Sequence, residues 1–198
     1  MAERKVLVVS PAPDTRQRLE ELKNFMQEYT PVVIGVGSAA DTLASMGYAP
    51  DVIVGDPKDV ASENLRSDAK VILPAEPDGY APGLERIQDL GVGAMTFPAA
   101  TDSPTDLAIL LATFHDAEMI VTVGQPVELD RIFADSATTA GTPATEPAAL
   151  LARLKAGRKI VDSTVITNLY AVESGAGVAW AWACLLYTSP SPRDRTRS

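Results

Sequence analysis

The sequence predicts an α/β domain built on a doubly wound, mainly parallel sheet with helices on both faces, Rossmann-like in layout. Three observations lead there. Short runs that are apolar throughout recur along the chain, and strands apolar on both faces belong in a sheet covered on both sides. Stretches of about ten residues with helical spacing separate them, the alternation expected of βαβ units. Gly, Pro and Asp stand at the junctions, where the backbone has to turn.

The elements follow in order. KVLVVS, residues 5–10, reads as the first strand, and Asp14 or Thr15 can cap the helix after it. In that helix Leu19, Leu22, Phe25, Met26 and Tyr29 recur at helical spacing, with charges on the opposite side. Pro31 opens the strand VVIGV at 32–36, and Ser38 to Met46 forms a short helix closed by Gly47 as a left-handed cap. VIV at 52–54 and KVIL at 70–73 are the next strands. Pro82 sits in the first turn of a helix that runs to Leu90 and ends at Gly91. AMTF at 94–97 is a strand, Ser103-Pro104 starts a helix over 104–114, and MIVTV at 119–123 is a strand. Pro126 opens a helix to about Asp135, 138–145 is a loop, and Pro147 opens a helix that stops at Gly157. KIVD at 159–162 is the last strand, after which Val165, Ile166, Leu169 and Tyr170 fall on one helical face. There is no internal repeat.

The chain has 198 residues, 46% of them hydrophobic, enough for one domain with a substantial core. Its formal net charge is −9. An acidic surface repels phosphate backbones, so nucleic acid is not an expected partner. With one cysteine, Cys184, and one histidine, His115, the chain cannot build a disulfide framework, a zinc cluster or a Cys–His pair. No zinc, haem or flavin is expected. MAERKVLVVS is too short in its apolar part for a signal peptide.

In parallel α/β sheets ligands bind at the carboxyl ends of the strands, near a switch in strand order. Gly35, Gly55-Asp56, Pro98 and Gly124 are expected there. Asp56 has two readings. A carboxylate just beyond a buried strand can hold Mg²⁺ against phosphate oxygens, and Gly-Asp-Pro is also an ordinary turn. Asp106 likewise stands either as a functional acid or as the third residue of a helix capped by Ser103, where the helix dipole favours acid. GVGSAAD, 35–41, matches neither common glycine-rich phosphate loop, although its backbone N–H groups at a helix start can hold an anion. His115 reads as a helix-end or solvated residue, and Glu76 and Asp78 as exposed loop acids.

The end of the chain departs from the rest. CLLYTSPSPRDRTRS, 184–198, is rich in Ser, Pro and Arg without apolar periodicity. It reads as a disordered tail, or as the translation of a sequencing adapter, in which case the natural chain is cut near Ala183. The run GAGVAWAWA, 175–183, is too short to span a bilayer. Its two tryptophans suit the start of a truncated membrane helix, and a short terminal core segment is the alternative. The expected organisation is therefore a domain over 1–174, the start of a membrane helix over 175–183, and the tail over 184–198.

Taken in order, GVGSAAD, YAPDVIVGDPKD, PAATDSPTDLAILLA and IVTVGQP resemble the catalytic domain of thiamine pyrophosphokinases. PDGYAPGLERIQDLGV and KAGRKIVDSTVITNLYAVES are similar to its SteA-like branch, associated with the actinobacterial cytokinetic ring. The resemblance covers roughly residues 3–183. It implies pyrophosphate transfer from ATP to thiamine with Mg²⁺ held by acids, and, for the SteA-like branch, a cytoplasmic-side domain anchored by a C-terminal membrane helix and working with division or envelope proteins. Carried over by residue, it makes Asp56 a metal ligand and Asp56 and Asp106 catalytic. Gly35, Ser38, Gly55, Lys58, Asp59, Thr105 and Gly124 become substrate- or phosphate-binding residues. The sequence departs from the family pattern in four places. Gly37-Ser38-Ala39-Ala40 lacks the family's acid, Lys58 replaces the second carboxylate of its Gly-Asp-x-Asp-Ser motif, Asp59 comes one position late, and Gly124-Gln125-Pro126 lacks the later Arg and His. Lys58 repels Mg²⁺ and can neutralise a phosphate directly. The implied reading is a degenerate phosphate- or nucleotide-binding domain, with an active Mg²⁺-dependent kinase as the alternative.

Overall fold

A computed structural model describes residues 2–76, 78–98, 101, 103–124 and 147–175. The expected helix from Pro126, the loop 138–145, the segment 176–183 and the tail 184–198 lie outside the described residues.

The apolar runs form seven strands: β1 (Lys5–Val9), β2 (Val32–Val36), β3 (Val52–Val54), β4 (Lys70–Ala75), β5 (Ala94–Pro98), β6 (Met119–Val123) and β7 (Ile160–Asp162). They make one sheet in the order β5-β4-β3-β2-β1-β6-β7, and every pairing is parallel. Residue for residue, Val6 lies against Val32 on one side and Ile120 on the other. The expected doubly wound α/β fold is what the chain adopts.

Eight helices among the described residues cover the sheet: α1 (Thr15–Glu21), α2 (Lys23–Tyr29), α3 (Ala39–Ser45), α4 (Ser62–Leu65), α5 (Leu84–Asp89), α6 (Pro104–Phe114), α7 (Pro147–Ala156) and α8 (Ser163–Gly175). Side chains alternate across a strand, so β1 feeds two cores. Val6 and Val8 join Leu107, Ile109, Leu111 and Ala156 beneath α6 and α7. Leu7 and Val9 join Leu19, Leu22, Phe25, Leu43 and Ile166 on the other face, beneath α1, α2, α3 and α8. A third cluster packs Ile53, Val71 and Leu73 against Val60, Leu65 and Ile87 from the segments around α4 and α5. Each such side chain contributes about 1.5–3 kcal/mol by leaving water, so the sheet is clamped from both sides.

Several boundaries differ from expectation. The first helix is two, broken at Leu22, and both halves keep their apolar residues in the same cluster. Asp14 occupies the cap position without capping, because its carboxylate bonds Arg18 instead. Thr15 Oγ1 donates to Ser10 O and accepts from Ala12 N–H, tying the helix start to the end of β1. α5 starts at Leu84 rather than Pro82, because Gly83 takes a left-handed conformation just ahead of it. β4 runs on to Ala75, and β7 starts one residue late because Gly157–Lys159 forms a 3₁₀ turn. Of the four residues on the α8 face, Ile166 is buried and Tyr170 half-buried, while Val165 and Leu169 are exposed. Among the described residues, no helix is long and apolar enough to cross a membrane.

The sheet order places the switch. After β1 the chain moves to α1 on one face, and the chain that follows β6 reaches α7 on the other. The crevice expected of such a sheet lies at the carboxyl ends of β1 and its neighbour β6.

Candidate functional site

Three segments converge at these carboxyl ends. The exit of β6 passes directly over the exit of β1: a Cβ built on Gly124 would stand 2.4 Å from Ser10 O, and Gly124 has φ +98°, where L side chains are strained. Only glycine fits this crossing. The N-terminus of α6 closes over it. Thr105 and Ser10, both buried, share a hydrogen bond of 2.9 Å between their hydroxyls. Pro104 leans on the next strand exit, since a Cβ on Gly55 would stand 3.6 Å from Pro104 Cβ and 3.4 Å from Gly37 N. The ends of β1, β2, β3 and β6 are thus gathered under the first turn of α6.

Asp106 occupies that first turn and is 2% exposed. Ser103 Oγ accepts from its backbone N–H at 3.4 Å, which realises the expected cap. Its carboxylate does not face solvent. Arg153, from α7, donates Nη1 to Asp106 Oδ1 at 2.9 Å. Burial pushes the Asp106 carboxyl above its ordinary range, and the charge and hydrogen bond of Arg153, with help from Ser103, pull the other way. Arg153 is itself largely buried, and its Nε has no partner among the described residues. The pair is therefore a fixed internal charge pair bracing α6 against α7. The sequence reading missed Arg153. Its only local signal is an arginine set among Leu150, Leu151 and Leu154, and nothing local points to an acid 47 positions away.

The second group is the turn after β3. Asp56 caps a 3₁₀ turn over Pro57–Asp59, its Oδ1 accepting from Lys58 N–H at 2.9 Å. Both readings of Asp56 meet here. It lies at the expected ligand-binding edge, and it is also the turn-forming acid. Asp59 follows, exposed, with its Cβ 3.8 Å from where a Cβ on Gly37 would be. The turns after β2 and β3 are therefore neighbours. Gly83 covers the Asp56 turn from outside: it has φ +84°, and a Cβ there would stand 2.6 Å from Pro57 Cδ and 3.0 Å from Asp56 Oδ1. Lys58 is exposed and makes no salt bridge with a described residue.

The remaining expected residues stand as follows. Gly35 lies within β2, not beyond its end, and lets α3 come close, since a Cβ there would be 2.9 Å from Ala40 Cα. It is a packing position. Pro98 likewise is the last residue of β5 rather than a residue past it. Ser38 precedes α3 without a side-chain cap bond and is exposed. Two N–H groups of its loop are already bonded, Gly37 N to Val54 O and Ala40 N to Gly37 O. Asp41 is turned sideways and accepts from Ala61 N–H and Asn64 Nδ2. His115 sits at the C-terminal end of α6, edge-on to Phe114. Glu76 and Asp78 are exposed, and Asp78 Oδ1 accepts from Tyr80 N–H. Gln125 and Pro126 lie outside the described residues.

The chemistry of this donor set decides what the site can hold. Mg²⁺ requires near-octahedral oxygen ligation. One oxygen of Asp56 is committed to Lys58 N–H, Asp106 is paired with Arg153, and an ammonium follows Asp56 at the second position. Among the described residues, no three His, Cys, Asp or Glu side chains converge to hold a metal ion. The described residues do not fit a resident Mg²⁺. What the turn offers is an exposed ammonium, in no salt bridge with a described residue, between Asp56 and Asp59 at a strand exit.

A separate cleft of about 560 Å³ opens at the opposite, amino ends of β1 and β6, between α2 and α8. Phe25, Tyr29 and Leu169 line it, and Tyr170 donates to Glu28 at 2.6 Å. None of the expected site residues lies there.

No protein-family model matches the chain, and no curated protein does. Among solved structures it is similar to the thiamin pyrophosphokinase of Geobacillus thermodenitrificans, with 18% identity and a TM-score of 0.40 over 67% of this chain and 52% of that one. The chain thus spans about half the length of that protein.

Proposed function

We propose that this is a phosphate- or nucleotide-binding domain of the SteA-like kind, carrying a degenerate pyrophosphokinase-type site that binds without transferring. The observation that carries the reading is the state of the charges at the strand exits. Both candidate catalytic carboxylates are engaged within the protein, Asp56 by its own turn and Asp106 by Arg153, while Lys58 is exposed and in no salt bridge with a described residue. An exposed ammonium standing where a second carboxylate would hold a metal is suited to an anion and unsuited to Mg²⁺. The order of motifs along the sequence supports the SteA-like assignment. With it come a role in cell division or envelope assembly, protein partners there, and a cytoplasmic-side position held by a C-terminal membrane helix.

The test is an assay of the full chain for thiamine diphosphate, given ATP, Mg²⁺ and thiamine. The expected result is no product above a protein-free blank. Sustained turnover, abolished by Asp56→Asn, would overturn the reading in favour of an active Mg²⁺-dependent pyrophosphokinase.

A further inference from the structure

We propose that the cleft at the amino ends of β1 and β6 binds an apolar amino acid, its carboxylate on Lys5, its ammonium on Glu28 and its side chain between α2 and α8. The site lies at the opposite end of the sheet from the turns described above and stands independently of the phosphate-binding reading. Its volume of about 560 Å³ is within the usual range for small-molecule sites.

The strand register builds the floor. Lys5 lies beside Met119 of the neighbouring strand. Side chains alternate along β1, so Lys5 shares its face with Leu7 and Val9, which belong to the core beneath α2 and α8. A lysine thus continues an otherwise apolar row. Phe25 and Tyr29 of α2 form one wall, and Ile166 and Leu169 of α8 form the other. Tyr29 and Leu169 are large and apolar yet exposed, Leu169 at 62%, so the walls leave apolar surface for a ligand to cover.

The charges define that ligand. A lysine beside apolar surface normally carries its ammonium out to water. The Lys5 side chain is only 24% exposed, and its ammonium lies over the Tyr29 ring, 4.1 Å from the ring centre. Its ionic partner among the described residues is Glu118 at 3.7 Å, beyond hydrogen-bond length. The ammonium therefore keeps donors free for a ligand. At the rim Glu28, on α2, accepts the hydroxyl of Tyr170, on α8, through Oε2. Glu28 forms no salt bridge with a described residue, Lys5 included. The cleft thus carries one cation and one anion that do not neutralise each other. A simple carboxylic acid would meet Lys5 but be repelled by Glu28 and Glu118. A simple amine would meet Glu28 but be repelled by Lys5. A molecule with both charges on a short head and an apolar body matches all three features, and that is an apolar amino acid.

Calorimetric titration of the full chain with L-phenylalanine, 3-phenylpropionate, phenethylamine and glycine tests this. Phenylalanine should bind, and each of the other three should be weaker by roughly tenfold or more, the value of one charged hydrogen bond or of the buried ring. Glu28→Gln keeps an acceptor for Tyr170 and removes the charge; it should weaken phenylalanine by a similar factor but not 3-phenylpropionate. Lys5→Gln should weaken phenylalanine but not phenethylamine, and Lys58→Ala should change nothing. Phenylalanine bound no tighter than its one-charge analogues, or equally well by both cleft variants, would overturn the site, as would its loss in Lys58→Ala. No binding at millimolar phenylalanine, with a native circular dichroism spectrum, would overturn it too.

Discussion

Replacing Arg153 with Met removes the guanidinium but keeps most of the apolar stem, and leaves Asp106 alone at 2% exposure. Stripping one partner from a buried pair costs about 3–5 kcal/mol, because the remaining charge has neither water nor counter-ion. That is a large part of the stability of an ordinary domain, about 5–15 kcal/mol. The penalty depends on pH, and its sign follows from Asp106. Its folded-state pKa lies above the ordinary value. As pH rises the unfolded chain therefore releases this proton first, and the folded state loses stability as pH climbs from the ordinary carboxylate range through the raised folded value. Arg153 holds that value down. Without it the loss extends to higher pH and deepens. Urea denaturation of wild type and Arg153→Met at neutral and mildly acidic pH reads the effect. The difference should be greatest at neutral pH and shrink as Asp106 takes up a proton. The double variant Arg153→Met/Asp106→Asn should recover most of the loss. A cost below about 1 kcal/mol without a pH trend, the range of an exposed pair, or no recovery in the double variant, would refute the reasoning.

Three further outcomes are expected. Gly124→Ala adds a strained left-handed alanine, about 1–2 kcal/mol, to a 2.4 Å collision with a backbone carbonyl; chemical denaturation should show a total loss above about 3 kcal/mol. Gly83→Ala should lift the 79–83 loop off Pro57, seen as faster limited proteolysis in that loop, whereas wild-type cleavage rates would show that the loop is not seated there. Ser10→Ala and Thr105→Val should each cost about 1–3 kcal/mol by leaving a buried hydroxyl unpaired, and the two together should cost less than their sum; simple additivity in denaturation midpoints would count against the shared hydrogen bond.

How much of this was legible beforehand varies with the range of the interaction. Each strand announces itself locally, because an apolar run such as VVIGV or MIVTV is only stable between two covering layers. The caps at Ser103 and Gly47 are likewise local, depending on residues within a turn of each other. The break at Leu22 carried no such mark, because the apolar spacing is the same on either side of it. Gly35 misled for a related reason: a glycine inside a strand and one just beyond it look alike in sequence, and the approach of Ala40 decides which it is. The site divides in the same way. Lys58 beside Asp56 could be read as a rewritten charge from the sequence alone. That Asp106 is neutralised by Arg153 depends on α6 lying against α7, a contact across 47 positions that no spacing encodes.

The most direct test of the central claim is titration of the full chain with inorganic pyrophosphate, with and without Mg²⁺, in wild type and Lys58→Ala. If Lys58 supplies the positive charge of the site, binding should be at least as strong without Mg²⁺ and should be lost in Lys58→Ala. Binding that requires Mg²⁺ and survives Lys58→Ala would contradict the account and return the site to its carboxylates.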